Sequence, residues 1–200
     1  MSFDKRAGEW DALERRRVLA DAVAGAIRDR VPLSGDMRLL DIGAGTGLLS
    51  ERLADSVASV VAIDSSEGML ERFAEKFSRL GLRADTLCGD FMLCDIPSAD
   101  IAVSSMTLHH IPDIEAFFSK LFKILSPGGY MAIADLTPEE GTFHDHGNDG
   151  VFHFGFDEKV LVKIASSSGF VDVAHEIVHT VSKERGEYDI FLLTGRKPDA

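Results

Sequence analysis

The stretch Leu39-Leu40-Asp41-Ile42-Gly43-Ala44-Gly45-Thr46-Gly47 joins a short apolar run to a glycine-rich turn. The apolar run predicts a buried strand, and the segment 46–54 predicts the helix that follows it. Glycines at 43, 45 and 47 permit positive φ angles and leave no side chain between the backbone and an approaching ligand. Asp41 adds a carboxylate that can hold an ammonium group. We therefore expect this turn to bind a ligand with a cationic amino-acid part.

A second acid, Asp64, ends the next apolar run at Val60-Val61-Ala62-Ile63-Asp64. In doubly wound sheets an acid at this position accepts hydrogen bonds from ribose hydroxyls. The alternative is a helix N-cap before Glu67, a role that Ser65 or Ser66 could also fill. The glycines read Gly-x-Gly-x-Gly, whereas the dinucleotide fingerprint is Gly-x-Gly-x-x-Gly. This spacing and Asp41 disfavour a nicotinamide-dependent dehydrogenase, which stays open as an alternative.

Short β-rich runs alternate with longer segments of helical period along the chain, a pattern typical of α/β proteins with a mainly parallel sheet. We predict a Rossmann-like, seven-stranded, mainly parallel sheet with helices on both faces and a C-terminal antiparallel hairpin. The predicted strands span residues 38–42, 59–63, 83–88, 101–104, 130–134, 171–181 and 187–196. The predicted helices span residues 10–31, 46–54, 68–80, 114–125 and 157–168.

The length of 200 residues predicts one domain, 1–200, with residues 1–32 as an N-terminal helical cap. The segment 139–156 lacks a clean period and is too long for an ordinary connection. It holds phenylalanines at 143, 152, 154 and 156. We expect this loop and its aromatic rings to cover a ligand pocket.

The formal net charge of −12 disfavours a nucleic-acid partner, because such proteins present a basic surface to the phosphates. The cluster Arg15-Arg16-Arg17 lies among acids and is interpreted as a solvated helix face. No apolar run approaches the ~20 residues that a membrane span needs, so no membrane partner is expected. The N-terminus has no signal-peptide pattern, which predicts a cytoplasmic protein with Cys88 and Cys94 reduced. Monomer and homodimer both remain open.

Residues 40–47 resemble motif I of the class I S-adenosylmethionine-dependent methyltransferases, particularly the branch that includes ubiquinone and menaquinone methyltransferases. Gly89-Asp90-Phe91 resembles the adenine-binding turn of that family. Segments 104–113 and 125–129 resemble the segment after strand four and the turn before strand five. Ser104-Ser105-Met106-Thr107 stands where DNA amino-methylating enzymes carry Asn/Asp-Pro-Pro-aromatic, which disfavours base methylation.

The resemblance implies that the cofactor is S-adenosylmethionine. It assigns Asp41, Gly43 and Gly45 to the methionine part, Asp64 to the ribose, and Asp90 with Phe91 to the adenine, on which Met69 packs. The full set of residues expected at the cofactor is Asp41, Gly43, Ala44, Gly45, Thr46, Gly47, Asp64, Ser65, Met69, Asp90, Phe91 and Ser104.

The predicted function is methyl transfer to a small-molecule acceptor by in-line displacement, for which a base is needed if the acceptor carries a proton. His109 and His110 follow strand four and are the candidate catalytic residues, with packing under the next loop as the alternative. His144, His146, Phe152 and His153 are expected to line the substrate pocket. A metal site built from His144, His146 and either His153 or Asp149 is a weaker alternative, and no metal is predicted. The alternative function is a catalytically silent module that binds the cofactor or scaffolds a partner.

Overall fold

A computed structural model describes residues 3–145 and 147–199 of the chain. The strands are β1 (Arg38–Ile42), β2 (Ser59–Asp64), β3 (Ala84–Cys88), β4 (Ala99–Ser105), β5 (Leu125–Leu136), β6 (Val171–Lys183) and β7 (Gly186–Arg196). The α-helices are α1 (Glu14–Arg30), α2 (Leu48–Leu53), α3 (Glu67–Leu80), α4 (Ile114–Ile124) and α5 (Glu158–Ser167). Short 3-10 helices span Phe3–Ala12, Ala54–Ser56 and Leu108–His110.

The strands form one seven-stranded sheet in the order β3-β2-β1-β4-β5-β7-β6. Pairs among β1 to β5 are parallel, and β7 runs antiparallel to both β5 and β6. β2 and β3 lie on one side of β1, whereas β4 and β5 lie on the other. The strand order therefore reverses between β1 and β4, and a crevice opens at such a switch point at the carboxyl ends of the strands. The predicted fold class is confirmed.

Successive side chains of the central strands point to opposite faces of the sheet, and each face carries its own core. Leu39 belongs to the cluster that includes residues of α1, α2 and α3, such as Phe73. Leu40 belongs to the other cluster, which includes Phe117 of α4 and Leu161 of α5. Both leucines are at most 1% exposed. Burial on both faces explains why β1 appears in the sequence as a continuous apolar run.

Several element boundaries differ from the predicted ones. α1 begins at Glu14 instead of Trp10, because the preceding segment forms a 3-10 helix over Phe3–Ala12. Two strands are longer than predicted because of pairing across the sheet. β5 begins at Leu125 instead of Tyr130, since Leu125 pairs with Ala99 before an irregularity in the ladder. β6 continues to Lys183, which pairs with Gly186 and leaves a two-residue hairpin turn. No helix in the described part of the chain is both long enough and apolar enough to cross a membrane.

Candidate functional site

A cavity of about 820 Å³ lies at the carboxyl ends of β1, β2, β3 and β4. Its floor is formed by the turns that follow these strands. Its other walls come from the N-terminal segment with α1, from the loop after β5, and from the end of β6. The volume falls within the ~300–1,000 Å³ of ordinary small-molecule sites. The cavity is therefore large enough for a ligand of cofactor size.

The glycine turn after β1 has positive φ angles of 68°, 54° and 79° at Gly43, Gly45 and Gly47. A Cβ atom at Gly43 would lie 2.1 Å from Thr107 Oγ1, and one at Gly47 would lie 2.5 Å from Phe73 Cδ2. At Gly45 a Cβ atom would meet nothing within 4 Å. Gly43 and Gly47 are thus required by contact with protein side chains, whereas Gly45 borders open space in the cavity.

Ala44 and Thr46 also line the cavity between these glycines. The Thr46 hydroxyl donates to the carboxylate of Asp11 at 2.5 Å. Asp11 also forms an ion pair with Lys76 of α3 at 2.7 Å. The N-terminal segment is thereby held against the glycine turn.

Asp41 is 2% exposed and lines the floor of the cavity. Its Oδ2 accepts a hydrogen bond of 2.5 Å from the hydroxyl of Ser50 on α2. Burial raises the pKa of Asp41 to about 7, opposed by the Ser50 hydrogen bond and reinforced by the charge of Asp64. No lysine or arginine in the described part of the chain forms an ion pair with Asp41. A positively charged ligand group would therefore stabilise the carboxylate.

Asp64 connects two turns at the end of β2. Its Oδ2 accepts from the backbone nitrogen of Gly45, and its Oδ1 accepts from that of Ser66, both at 2.8 Å. The N-cap of α3 is Ser66, whose hydroxyl oxygen accepts from the Met69 amide. The helix-cap alternative for Asp64 is therefore wrong, and its carboxylate lines the cavity.

The far end of this side is formed by Ser65, Met69, Asp90 and Phe91. Met69 and Phe91 are 1% and 5% exposed, so both present fixed apolar surface. Asp90 is exposed, and its Oδ1 accepts from the Met92 amide at 2.8 Å. An apolar wall beside a carboxylate suits a flat heteroaromatic ring with an exocyclic amine.

Two residues expected at the cofactor do not line this cavity. Ser104 is 1% exposed, and its hydroxyl donates to the carbonyl oxygen of Ile42 at 2.8 Å, because it faces the neighbouring strand. The next residue, Ser105, lines the cavity in its place. Gly47 packs under the aromatic rings of α3 instead.

The opposite wall carries His109, His110 and His144. The ring centroid of His109 lies 4.2 Å from that of His110 and 5.0 Å from that of His144. His109 is 1% exposed, and its Nδ1 lies 2.7 Å from Oδ1 of Asp135 at the end of β5. His110 is half-buried, and its Nδ1 donates to the Gly150 carbonyl at 2.7 Å. Burial, followed by the charges of His109 and His110, lowers the pKa of His144 to about 4.

Two other predicted pocket residues, Phe152 and His153, do not line the cavity. Phe152 is 59% exposed. The His153 ring turns to the carbonyl oxygen of Ile111, to which its Nε2 donates at 2.9 Å, and it borders a separate shallow groove. His146 lies outside the described residues. Phe156 is 8% exposed in the core and Phe154 is 45% exposed, so of the four rings only Phe143 lines the cavity.

Lys183 and Arg15 complete the wall, and neither was predicted to line a pocket. Both form ion pairs with Asp145, at 3.3 Å for Lys183 and 2.8 Å for Arg15. Arg15 and Arg17 are exposed, as predicted for a solvated helix face, and Arg15 and Arg16 also line the cavity. The sequence does not predict that Lys183 and Arg15 lie near each other. Their link in the structure is Asp145, with which both form ion pairs.

Charges separate along the lining of the cavity. Three carboxylates, those of Asp41, Asp64 and Asp90, lie at the strand ends. Every lysine and arginine among the described lining residues comes from α1 or β6, namely Arg15, Arg16 and Lys183. The strand-end side thus favours a cationic ligand part. The opposite wall carries both signs of charge, because Asp145 and Asp149 line it beside these basic residues. The described residues contain no group of three or more His, Cys, Asp or Glu side chains arranged to hold a metal ion.

A family model described as a methyltransferase domain matches residues 39–129. An uncharacterized methyltransferase of Mycobacterium tuberculosis is 35% identical over 140 residues, which cover 68% of this chain and 66% of that protein. This chain belongs to the methyltransferase family. This chain also resembles the ubiquinone biosynthesis O-methyltransferase of Parvibaculum lavamentivorans. The two are 34% identical over 103 residues, which cover 50% of this chain and 41% of that protein. The family resemblance inferred from motif I is confirmed.

The fold of the methyltransferase is shared with solved structures. One is phosphoethanolamine N-methyltransferase 2 of Haemonchus contortus in complex with S-adenosyl-L-methionine, with a TM-score of 0.73 and 17% identity. The match covers 100% of this chain and 60% of that one. The methyltransferase chain spans less than two thirds of the length of each of these three proteins.

The part of the methyltransferase that matches the family model holds the glycine turn, Asp64, Asp90 and His109. Asp135, the loop that carries His144, and Lys183 lie beyond residue 129. The strand-end side of the cavity is therefore inside the matched region. Most of the opposite wall is outside it.

Proposed function

We propose that this methyltransferase binds S-adenosylmethionine at the strand-end side of the cavity and transfers its methyl group to a small molecule held at the opposite wall. The buried carboxylate of Asp41 beside the glycine turn, which bonds to Ser50 and forms no ion pair with a described residue, is the observation that carries the proposal. A relative and a fold neighbour are named as an O-methyltransferase and as an N-methyltransferase in complex with S-adenosyl-L-methionine.

The residues present fit this cofactor by the chemistry of their side chains. Asp41 and the turn at Gly43 to Gly45 would hold the cationic amino-acid part, for which the open space at Gly45 leaves room. Asp64 has the acceptor capacity to take ribose hydroxyls besides its two amide donors. Asp90, Phe91 and Met69 would enclose the adenine, and Ser65 lies beside them.

S-adenosylmethionine supplies an electrophilic methyl carbon bonded to a cationic sulfur. The protein then has three tasks: to align the acceptor with that carbon, to exclude water, and to take a proton from a protonated acceptor. The histidine wall of His109, His110 and His144 is suited to the last task, because a neutral imidazole has one ring nitrogen with a free lone pair that can accept a proton. We propose His109 or His110 as that base and His144 as a residue of the acceptor pocket.

A small acceptor is favoured because the wall is concave and partly closed by the loop after β5. The net charge of −12 opposes binding to a nucleic-acid backbone. Both cysteines, Cys88 and Cys94, are unpaired, as expected for a protein of the cytoplasm, which we propose as its location. A mass measurement in solution distinguishes a monomer from a homodimer.

Isothermal titration of S-adenosylmethionine into the full chain tests the cofactor part. We expect saturable binding that weakens at least about tenfold in Asp41→Asn, since the charge is lost while the Ser50 hydrogen bond can persist. Asp85→Asn, which removes an exposed acid from β3, is the matched control and should bind as the parent does. Absence of binding at millimolar ligand contradicts the proposal.

Formation of S-adenosylhomocysteine with a panel of small acceptors tests the catalytic part. Catechol, benzoate, benzenethiol and aniline offer the same ring with different accepting atoms. Product formed only in the presence of an acceptor supports an enzyme. Tight cofactor binding without product from any acceptor supports the silent module instead.

A further inference from the structure

The pair His109 and Asp135 is buried at the base of the histidine wall. His109 is 1% exposed and Asp135 is 0% exposed. The two residues come from the 3-10 helix after β4 and from the end of β5, two strands that pair in parallel. The ring Nδ1 lies 2.7 Å from Asp135 Oδ1. A polar pair this deeply buried needs matched donors and acceptors.

Asp135 is surrounded by nitrogen donors. Its Oδ2 accepts from the backbone amide of His109 at 3.2 Å, and its Oδ1 accepts from the amide of Leu136 at 2.7 Å. The His109 ring nitrogen is a third neighbour. An ionised carboxylate has acceptors only, so the hydrogen bond requires a proton on Nδ1. The carboxylate therefore selects one tautomer of the neutral ring, in which Nε2 carries no proton.

His109 Nε2 is buried and has no hydrogen-bond partner among the described residues, although its ring lines the cavity. A bare nitrogen is the less costly state, since a buried N–H without an acceptor loses its full hydration. The neighbouring His144 ring, 5.0 Å away between centroids, also has a buried Nε2 with no partner in the described chain. His110 differs because it is half-buried and bonded to a backbone carbonyl.

We propose that Asp135 is the positioning residue that holds His109 with Nε2 bare, so that this nitrogen takes the proton of a hydroxyl acceptor. The inference rests on the proposed function and narrows it to acceptors whose reacting oxygen carries a proton. A carboxylate acceptor is already deprotonated near neutral pH, so its methylation does not require a base.

The chemistry of the step balances. A lone pair of the acceptor oxygen forms the new bond to the methyl carbon, and the bond from that carbon to sulfur breaks with its electron pair on the sulfur. The hydroxyl proton passes to His109 Nε2. The resulting imidazolium lies against the Asp135 carboxylate, which stabilises its charge, and the proton leaves to solvent after product release.

Long-range ¹H–¹⁵N NMR of the histidine rings tests the proposal on the free full-length chain, with the His109 signals assigned by their loss in His109→Gln. We expect Nδ1 protonated and Nε2 bare at pH 7.5. In Asp135→Asn this preference should be lost, since an amide can donate as well as accept. His110→Asn, which leaves the pair untouched, is the matched control. A proton on Nε2 in the parent protein overturns the proposal, whether or not Asp135→Asn folds. The proposal is also overturned if Asp135→Asn folds and its His109 ring keeps the same tautomer as in the parent protein.

The activity of His109→Gln provides a second readout. On a hydroxyl acceptor found in the panel, we expect the rate to fall at least about 100-fold. Full activity of this variant overturns the inference. Failure of the proposed function is a separate result, because it appears as absent S-adenosylmethionine binding in calorimetry, while the tautomer is measured without any ligand.

Discussion

The Oδ2 atom of Asp64 lies 2.8 Å from the backbone nitrogen of Gly45, 19 residues earlier in the chain. One carboxylate thereby joins the end of β2 to the glycine turn after β1, and its other oxygen accepts from the Ser66 amide before α3. The amides of Gly43 and Ala44 donate to the Ile63 carbonyl next to it. The shape of the glycine turn therefore depends on β2 as much as on its own residues.

Asp64→Asn should weaken both stability and cofactor binding. An amide has a single oxygen, so one of the two backbone N–H groups loses its acceptor, at a cost of about 1–3 kcal/mol. We expect the free energy of unfolding to fall by that amount and S-adenosylmethionine affinity to fall at least about tenfold. Chemical denaturation and calorimetry measure the two effects. Asp85→Asn is the control, and equal behaviour of the two variants would contradict the role given to Asp64.

Alanine substitutions in the glycine turn should separate folding from binding. Gly45→Ala meets no atom within 4 Å, so we expect only the ~1–2 kcal/mol cost of a left-handed alanine. The new methyl group borders the cavity, and cofactor affinity should fall more than stability does. Gly43→Ala places Cβ 2.1 Å from Thr107 Oγ1 and should destabilise more strongly. Thermal melts with and without ligand distinguish the two, and a Gly45→Ala variant that binds normally would be the contrary result.

The stability of the chain should depend on pH through Asp41. Burial raises the folded-state pKa of Asp41 from 3.8 to about 7, so the folded protein holds this proton more tightly than the unfolded chain. The contribution is complete below pH 3.8 and is lost as pH rises through 7, which corresponds to at most about 4 kcal/mol. Asp41→Asn should lack this decline. Denaturant titrations between pH 4 and 8 measure the slope, and identical slopes in the two proteins would exclude the effect.

His144 should act in the opposite direction over nearly the same range. Burial lowers its folded-state pKa from 6.5 to about 4. Its contribution to stability is therefore present above pH 6.5 and is lost as pH falls through 4. His144→Phe keeps an aromatic ring and should show stability that declines more steeply with rising pH than in the parent. A shallower decline would contradict the assignment. His179→Phe on β6, which does not line the cavity, is the control.

The strands and helices could be predicted from the sequence because their signals are local. β1 matches its predicted span Arg38–Ile42, and the ends of α3 and α4 lie within one residue of the predicted ones. The predicted start of α1 at Trp10 was wrong, because the helical pattern there does not distinguish a 3-10 helix from an α-helix. Strand boundaries were wrong where pairing across the sheet sets them. The early start of β5 depends on Leu125 meeting Ala99 across the sheet. The sequence around neither residue contains a pattern that predicts this contact.

For the candidate site, the residues that follow β1, β2 and β3 were predictable because topology brings the ends of parallel strands together. The loop after β5 was not, since an aperiodic segment does not reveal which of its aromatic rings turn inward. Phe143 lines the cavity while Phe152 is 59% exposed. Met106, a non-glycine residue with a φ of 59° on the cavity wall, also has no signature in the sequence.

By itself, the sequence determined the α/β fold, the family and the carboxylates at the strand ends. These follow from local features, namely the periodic spacing of apolar residues and the spacing of Asp41 from the glycines that follow it. Only the tertiary structure decided the opposite wall. Asp135 and His109 lie 26 positions apart, and Arg15 and Asp145 lie 130 apart. Such pairs form only when whole helices, strands and loops pack against one another. Which polar side chains come into contact therefore depends on the packing of the fold and not on any local sequence pattern.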